Sequence, residues 1–437
     1  MSINRKRLGA LLCVVAAGIA VASTAGAAHQ TTPGVTPTNV KIGGTFPLSG
    51  PAALYATIAG AEQAYYGWVN AHGGVNGRTI TDLVRDDQYN PAKTVPAVKK
   101  LVETDKVFAI VGSLGTAPGL ASWNYLNNKQ VPQVLLATGD AYWGTCTATG
   151  SAFRAKPYCT KPKPWTMGWQ PDYPGEARLY AKYIIAHKPT AKIGVLYQND
   201  AYGQNYLDAF KKALGTHARA SGPNQNYWTE SYNVTDSSAV VGAHVAALKG
   251  HGADTVALFS TPSASIAALA TMGAVLHWTP LTFLNNVSAN RIFLLSAEGN
   301  GAAPNGVISS SYIKSNTVTP GDAAMQDAHD IIYATGNAGL KHQFDIGDSN
   351  LIYGLAVAWT FVDALKHSGA NPTRTSFMHA IRTLNESAGN KNPFVYPGMI
   401  VKTNSTRTFP MQQLRLQKWN STAHDWDAFG AVLNSGF

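Results

Sequence analysis

Asp86-Asp87-Gln88-Tyr89-Asn90-Pro91-Ala92-Lys93, followed by Leu101-Val102-Glu103-Thr104-Asp105-Lys106-Val107-Phe108-Ala109-Ile110-Val111-Gly112-Ser113, carries the clearest signal of fold in the chain. Asp86 and Asp87 end a strand and are read as turn and cap residues. Asn90 can cap a helix whose first position is Pro91, where a missing N–H costs nothing. That helix runs through Leu101 and Val102 to a polar exit at Thr104-Asp105-Lys106. Val107 to Val111 is a continuous apolar run, the pattern of a parallel strand covered on both faces. Gly112-Ser113-Leu114-Gly115-Thr116-Ala117-Pro118 then follows the strand's carboxyl end, where open α/β sheets bind their ligands.

The same alternation of strand and helix extends in both directions and predicts an α/β fold with parallel sheets. Upstream, Val40 to Phe46 is a strand, Ala59 to Asn70 a helix and Arg78 to Arg85 a second strand. Downstream, Val131 to Leu136 is a strand ending at Ala137-Thr138-Gly139-Asp140. A second unit repeats the plan, with strands at Ala191–Tyr197, Thr255–Phe259 and Leu281–Leu284 and helices between them. Val307 to Ser311 leads to a largely helical stretch from Ala323 to Leu384, and strands return near Met411–Trp419. At 437 residues the chain is long enough for two cores, yet no low-complexity linker divides it.

Arg5-Lys6-Arg7, the apolar run Leu8 to Val21 and the small residues Ala25-Gly26-Ala27 predict a signal peptide over residues 1–28. The run is short for a membrane span, which needs about 20 residues. Ala10-Leu11-Leu12-Cys13 departs from a lipobox, which wants a small residue just before the cysteine, so free secretion is favoured over a lipid anchor. Loss of Arg5, Lys6 and Arg7 lowers the formal net charge of +10 but leaves it positive. The remaining basic residues are scattered, with no basic stripe interleaved by aromatics, which argues against nucleic-acid binding. Cys146 and Cys159 then remain as a pair in an oxidising compartment and predict one disulfide. A loop of about 15 residues closed in this way is worth about 3 kcal/mol by chain entropy.

Several segments, in order, resemble the type I solute-binding proteins of the leucine/isoleucine/valine-binding family, which serve ABC transporters. Phe46-Pro47-Leu48-Ser49-Gly50-Pro51 with Tyr55 is similar to the first ligand loop. Gly60-Ala61-Glu62-Gln63-Ala64 and Asn70-Ala71-His72-Gly73-Gly74-Val75-Asn76-Gly77 resemble the helix and turn that follow, and Tyr197 to Gly203 the opening of the second lobe. The resemblance runs from about Val40 to Trp419. It implies a bilobal type I periplasmic-binding fold, two parallel-sheet lobes joined by three hinge crossings near 166–170, 312–316 and 398–402. Lobe 1 would take 40–166 and 316–398, and lobe 2 would take 170–312 and 402–437. It implies ligand contacts at Tyr55, Gly115, Thr116, Ala137, Thr138, Gly139, Tyr202 and Thr261, with Gly115 and Thr116 gripping a carboxylate. The partners implied are a small-molecule ligand and the membrane permease subunits of an ABC transporter, with the binding protein itself a monomer outside the cytoplasmic membrane.

One departure bears on specificity. Amino-acid binders of that family place an acid after the strand corresponding to Leu281–Leu284, to pair with the ligand's ammonium. No Asp or Glu occurs here from Thr279 to Asn290. Burying an ammonium without a carboxylate is costly, so the ligand is expected among amides and aromatic or aliphatic acids as well as branched-chain amino acids. An acid from elsewhere, Asp140 or Asp200, could restore amino-acid binding. Enzyme motifs fail: Val111-Gly112-Ser113-Leu114-Gly115 lacks the first glycine of a nucleophile elbow. No P-loop is present, and the 12 histidines form no zinc helix. No catalysis, cofactor or metal is expected. The competing reading is a ligand-sensing module for a separate membrane receptor.

Overall fold

The structure, a computed structural model, describes residues 32–147, 155, 159–316, 321–386, 391–404 and 408–434. The expected signal peptide, with Cys13, lies outside the described residues. No described helix is long and apolar enough to cross a membrane.

Two sheets organise the fold. The first contains β1 (Asn39–Phe46), β2 (Thr79–Asp86), β3 (Ile110–Val111), β4 (Gln133–Leu136) and β5 (Thr166–Gly168), all parallel, in the order β2-β1-β3-β4-β5. The second contains β6 (Ile193–Gln198), β7 (Tyr227–Tyr232), β8 (Thr255–Phe259), β9 (Leu281–Leu284) and β10 (Ile308–Ser311) in the parallel order β7-β6-β8-β9-β10. A hairpin of β11 (Gln413–Asn420) and β12 (Asp425–Asn434) adds to β10 antiparallel. Both parallel arrays share one topology, each reversing direction beside its first strand. Crevices open at that reversal, so the lobes present matching mouths.

The quoted stretch folds largely as expected. The Asn90 carboxamide accepts the Ala92 N–H at 2.9 Å and Pro91 opens the helix Pro91–Lys99, which continues as a π turn over Lys100–Thr104. Asp87 accepts from the Tyr89 N–H at 3.0 Å and from the Thr94 hydroxyl at 2.7 Å. Asp86 ties down the first loop through the N–H groups of Leu48 and Ser49 and the Ser49 hydroxyl. The strand expected from Val107 pairs as a parallel ladder only at Ile110–Val111. Ahead of it the Phe108 N–H still donates to the Lys41 carbonyl of β1 at 2.7 Å, while the Arg374 guanidinium takes the carbonyls of Val107 at 2.8 Å and Phe108 at 2.9 Å. Two strands were not anticipated. β7 is an edge strand with polar positions facing outward, and β12 is the outermost strand of the hairpin.

Three segments connect the lobes. The first follows β5, where the Trp169 carbonyl accepts from the Met411 N–H at 3.3 Å. The second follows β10, where Ile313 bridges Val395 and the Tyr312 carbonyl accepts from the Tyr396 N–H at 3.0 Å. The third departs from the expected 398–402. Thr403 bonds to Ile381 and Leu384, and the Thr408 hydroxyl donates to the Gly144 carbonyl at 2.8 Å. Phe409 fills the space beside Gly144, where a Cβ would stand 1.7 Å from its ring. Thr403, Thr408 and Phe409 therefore pack with the first lobe, and the chain joins the second sheet at Gln413.

Cys146 and Cys159 are joined, buried against Trp123. Peptide mapping of the exported protein without reductant should recover this crosslink, whereas alkylation of both thiols in the native protein would exclude it.

Candidate functional site

The carboxyl ends of strands from both sheets converge on a cavity of about 100 Å³, several times the space of one water. From the first lobe come Tyr55, in the short turn Ala53–Tyr55 after β1, then Gly115 and Thr116 after β3, and Ala137 after β4. From the second come Tyr202 after β6 and Thr261 after β8. Thr138 and Gly139 stand behind this wall. Thr138 is fully buried, and Gly139 packs against Pro171 and Tyr173.

Gly115 has a φ of +108° and precedes the helix Thr116–Asn128. A Cβ there would lie 2.7 Å from the Tyr89 ring, so both backbone and packing call for glycine. No side chain among the described residues caps this helix, so the N–H groups of Thr116 and Ala117 have no capping acceptor, while the Gly119 N–H donates to the Gly115 carbonyl at 3.0 Å. The hydroxyls of Thr116 and Thr138 are 2.7 Å apart, and the Asp140 N–H donates to Thr138 at 3.1 Å. With the Thr138 proton directed at Thr116, Thr116 keeps its own proton for an acceptor in the cavity.

On the opposite wall Asp200 caps the helix Ala201–Leu214 through the N–H groups of Tyr202 and Gly203. The Tyr202 hydroxyl donates to the Ser260 carbonyl at 3.0 Å and accepts from the Asn285 carboxamide. Thr261 is held by Tyr232 at 3.0 Å and Gln198 at 3.2 Å. Both are therefore fixed surfaces rather than free polar arms.

Further lining residues were not legible in the sequence. Tyr89, Tyr173, Tyr312 and Tyr353 join Tyr55 and Tyr202 to make a wall of phenols, with Gln170 beside them. Burial pushes all six phenols up, so each is neutral, with the protons of Tyr202 and Tyr353 already given to Ser260 and Gln170. The hinge position of Gln170 and Tyr312 was the available clue, since hinge segments border the cleft.

Among the described lining residues there is no Asp or Glu. Asp140 and Asp200 lie outside the lining. Asp140 is fully buried, and burial pushes its carboxyl up to about 8, with the charge of Asp200 adding to the effect. Glu176 sits behind the loop after β9 and is already saturated. It accepts from the Asn286 N–H at 2.7 Å, the Asn286 carboxamide at 2.5 Å, Tyr206 at 2.5 Å, Ser310 at 2.8 Å and Tyr180. The two cations at the margin are also engaged. Lys314 pairs with Asp322 at 2.6 Å, and Arg291 donates to the Ile346 carbonyl at 2.6 Å.

The lobes meet over the cavity. Asn290, at the start of the helix Arg291–Gly299, donates to Asp348 at 2.5 Å, and Thr57 donates to the same carboxylate at 2.7 Å. The Ser263 hydroxyl donates to the Pro51 carbonyl at 3.2 Å. Direct hydrogen bonds of this kind belong to a closed cleft.

Two α/β lobes that close over a small cavity at their strand ends define a bilobal binding protein. The chain belongs to the Periplasmic binding protein family, an extracytoplasmic binding family, whose profile matches residues 39–424. It is 28% identical over 224 residues to a Leu/Ile/Val-binding protein homolog 3 of Brucella melitensis, covering 50% of this chain and 53% of that protein. The chain thus spans about half the length of the curated relatives it matches. In structure it is similar to a branched chain amino acid ABC transporter protein from Thermus thermophilus with bound valine, at a TM-score of 0.74 and 15% identity, covering 92% of this chain and 97% of that one. It is also similar to a fatty acid ABC transporter substrate-binding protein from Thermomonospora curvata, at a TM-score of 0.70 and 21% identity, covering 93% and 95%. At these identities the structural likenesses establish the fold.

Proposed function

We propose that the chain is the extracytoplasmic substrate-binding component of an ABC importer and holds a small carboxylate-bearing solute that has no free ammonium group. The observation carrying this reading is a cavity wall with an uncapped helix start, neutral phenols and no carboxylate. The helix start and Thr116 favour an anion. An ammonium placed here would be buried without a counter-charge. Of the named structures, one is described for fatty acids, which carry no ammonium, whereas another holds valine, which does. In this reading residues 1–28 direct export, and the lobes hinge at 166–170, at 312–316 and beside Met411. The solute is released unchanged to permease subunits by a monomer.

A thermal-shift panel on the mature protein tests it, using leucine and valine beside 4-methylpentanoate and 3-methylbutanoate. Ligand at 100 times its dissociation constant stabilises the fold by about 2.7 kcal/mol. The des-amino acids should raise the melting temperature at least as much as their amino-acid counterparts, and small-angle scattering should show a more compact particle with them. Stabilisation by leucine or valine alone would mean that an acid pairs with the ammonium after all.

A further inference from the structure

The polar groups of the cavity wall are mostly satisfied within the protein. Tyr202 donates to Ser260 and accepts from Asn285, and Thr261 is held by Tyr232 and Gln198. Gln170 carries a buried polar atom that is not. It lies two residues past β5, is 2% exposed and lines the cavity, yet its Nε2 has no acceptor among the described residues. Buried amide groups are rarely left unpaired, because desolvation is then uncompensated. A Met or Leu of similar volume would avoid that cost.

The amide is also held in place. The Tyr353 hydroxyl donates to its Oε1 at 3.1 Å, which fixes the amide through one of its two polar atoms. Tyr353 packs edge-on against Trp169, whose indole N–H donates to Thr360 at 3.0 Å. A fixed donor with no protein acceptor is a preorganised recognition group.

We infer that Gln170 is a specificity-determining residue whose carboxamide donates to a second acceptor oxygen of the ligand, apart from the carboxylate at Thr116. This rests on the carboxylate reading above and narrows it. β4 separates β3 from β5, so Thr116 and Gln170 approach from strands roughly 9–10 Å apart. The ligand class is then a short oxo, hydroxy or amide-bearing carboxylic acid. An N–H₂ donor also disfavours an ammonium, in keeping with the absence of acids in the described lining.

Calorimetric titration of the mature protein with hexanoate, 2-oxohexanoate and 5-oxohexanoate tests the assignment. At least one oxo acid should bind about tenfold more tightly than hexanoate, the factor that a hydrogen bond of ordinary strength supplies. Gln170→Met should erase that preference while leaving hexanoate affinity equal or higher. Tyr353→Phe, which keeps the amide but frees it to turn, should reduce the preference and so tests the same claim if Gln170→Met fails to fold. No preference in the parent, or an equal loss for all three acids in both variants, overturns the role of Gln170. Binding of valine with none of the three acids bound overturns the carboxylate reading itself, a separate result.

Discussion

Asp140→Asn should make the ligand-free protein more stable than the parent by a margin that widens from pH 5 to pH 8. Asp140 is fully buried, one carboxylate oxygen accepts the Tyr142 N–H at 2.9 Å, and the other has no partner among the described residues. Its carboxyl is pushed up to about 8 by burial, and an unfolded Asp titrates near 3.9. Between those values the unfolded chain has lost the proton while the folded chain keeps it. The unfolded state therefore binds fewer protons, and stability falls as pH rises, by up to ~1.4 kcal/mol per pH unit. Stability from the neutral carboxyl is fully present below about pH 4 and gone above about 8. Asn keeps the acceptor for Tyr142 and carries no titrating proton. Burial also raises Glu62, Asp82 and Glu386, but those groups act in parent and variant alike and cancel in the difference. Urea unfolding at pH 5, 6, 7 and 8 measures the margin. Parallel curves would show that Asp140 is ionised in the folded protein.

Thr116→Val should weaken binding of a carboxylate ligand by about 1.5–3 kcal/mol, the range for a hydrogen bond to a charged group. The substitution preserves shape at a position only 1% exposed and removes one hydroxyl. It leaves the backbone N–H groups at the start of Thr116–Asn128 in place, so some anion affinity should persist. It also deprives Thr138 of its 2.7 Å partner, and a modest loss of stability should accompany the loss of affinity. Thr116→Ser separates the two causes, because it restores the hydroxyl and should return affinity close to that of the parent. Equal affinities for the parent and the Val variant would place the carboxylate elsewhere in the cavity.

The capping and turn chemistry was legible because it is local. Asn90 before Pro91, Asp86 and Asp87 at the turn, and the small residues after each strand act within a few positions along the chain. The ligand loops were reached by resemblance, and Tyr55, Gly115, Thr116, Ala137, Tyr202 and Thr261 do come together around one cavity. Thr138 and Gly139 share a loop with Ala137 but stand behind it. Sequence spacing could not separate wall from support, since Gly139 is turned from the cavity by its packing on Pro171 and Tyr173, which lie more than 30 positions on.

Other features had no local signature. The carbonyls of Val107 and Phe108 are taken by Arg374, more than 260 positions away in the chain. The late crossing beside Met411 depends on Phe409 finding the space over Gly144. The phenol wall draws on Tyr89, Tyr173, Tyr312 and Tyr353, each of which in isolation is an ordinary buried aromatic. The amino-acid sequence by itself determined the alternating elements, their caps, the cysteine pair and the lack of an acid after β9, because each follows from neighbouring residues or from simple presence. Only the tertiary structure decided that Glu176 is saturated, that Asp140 is buried and out of the lining, and that the Gln170 amide is an unpaired donor. Desolvation and hydrogen-bond satisfaction depend on what lies across the fold, and no local pattern encodes that.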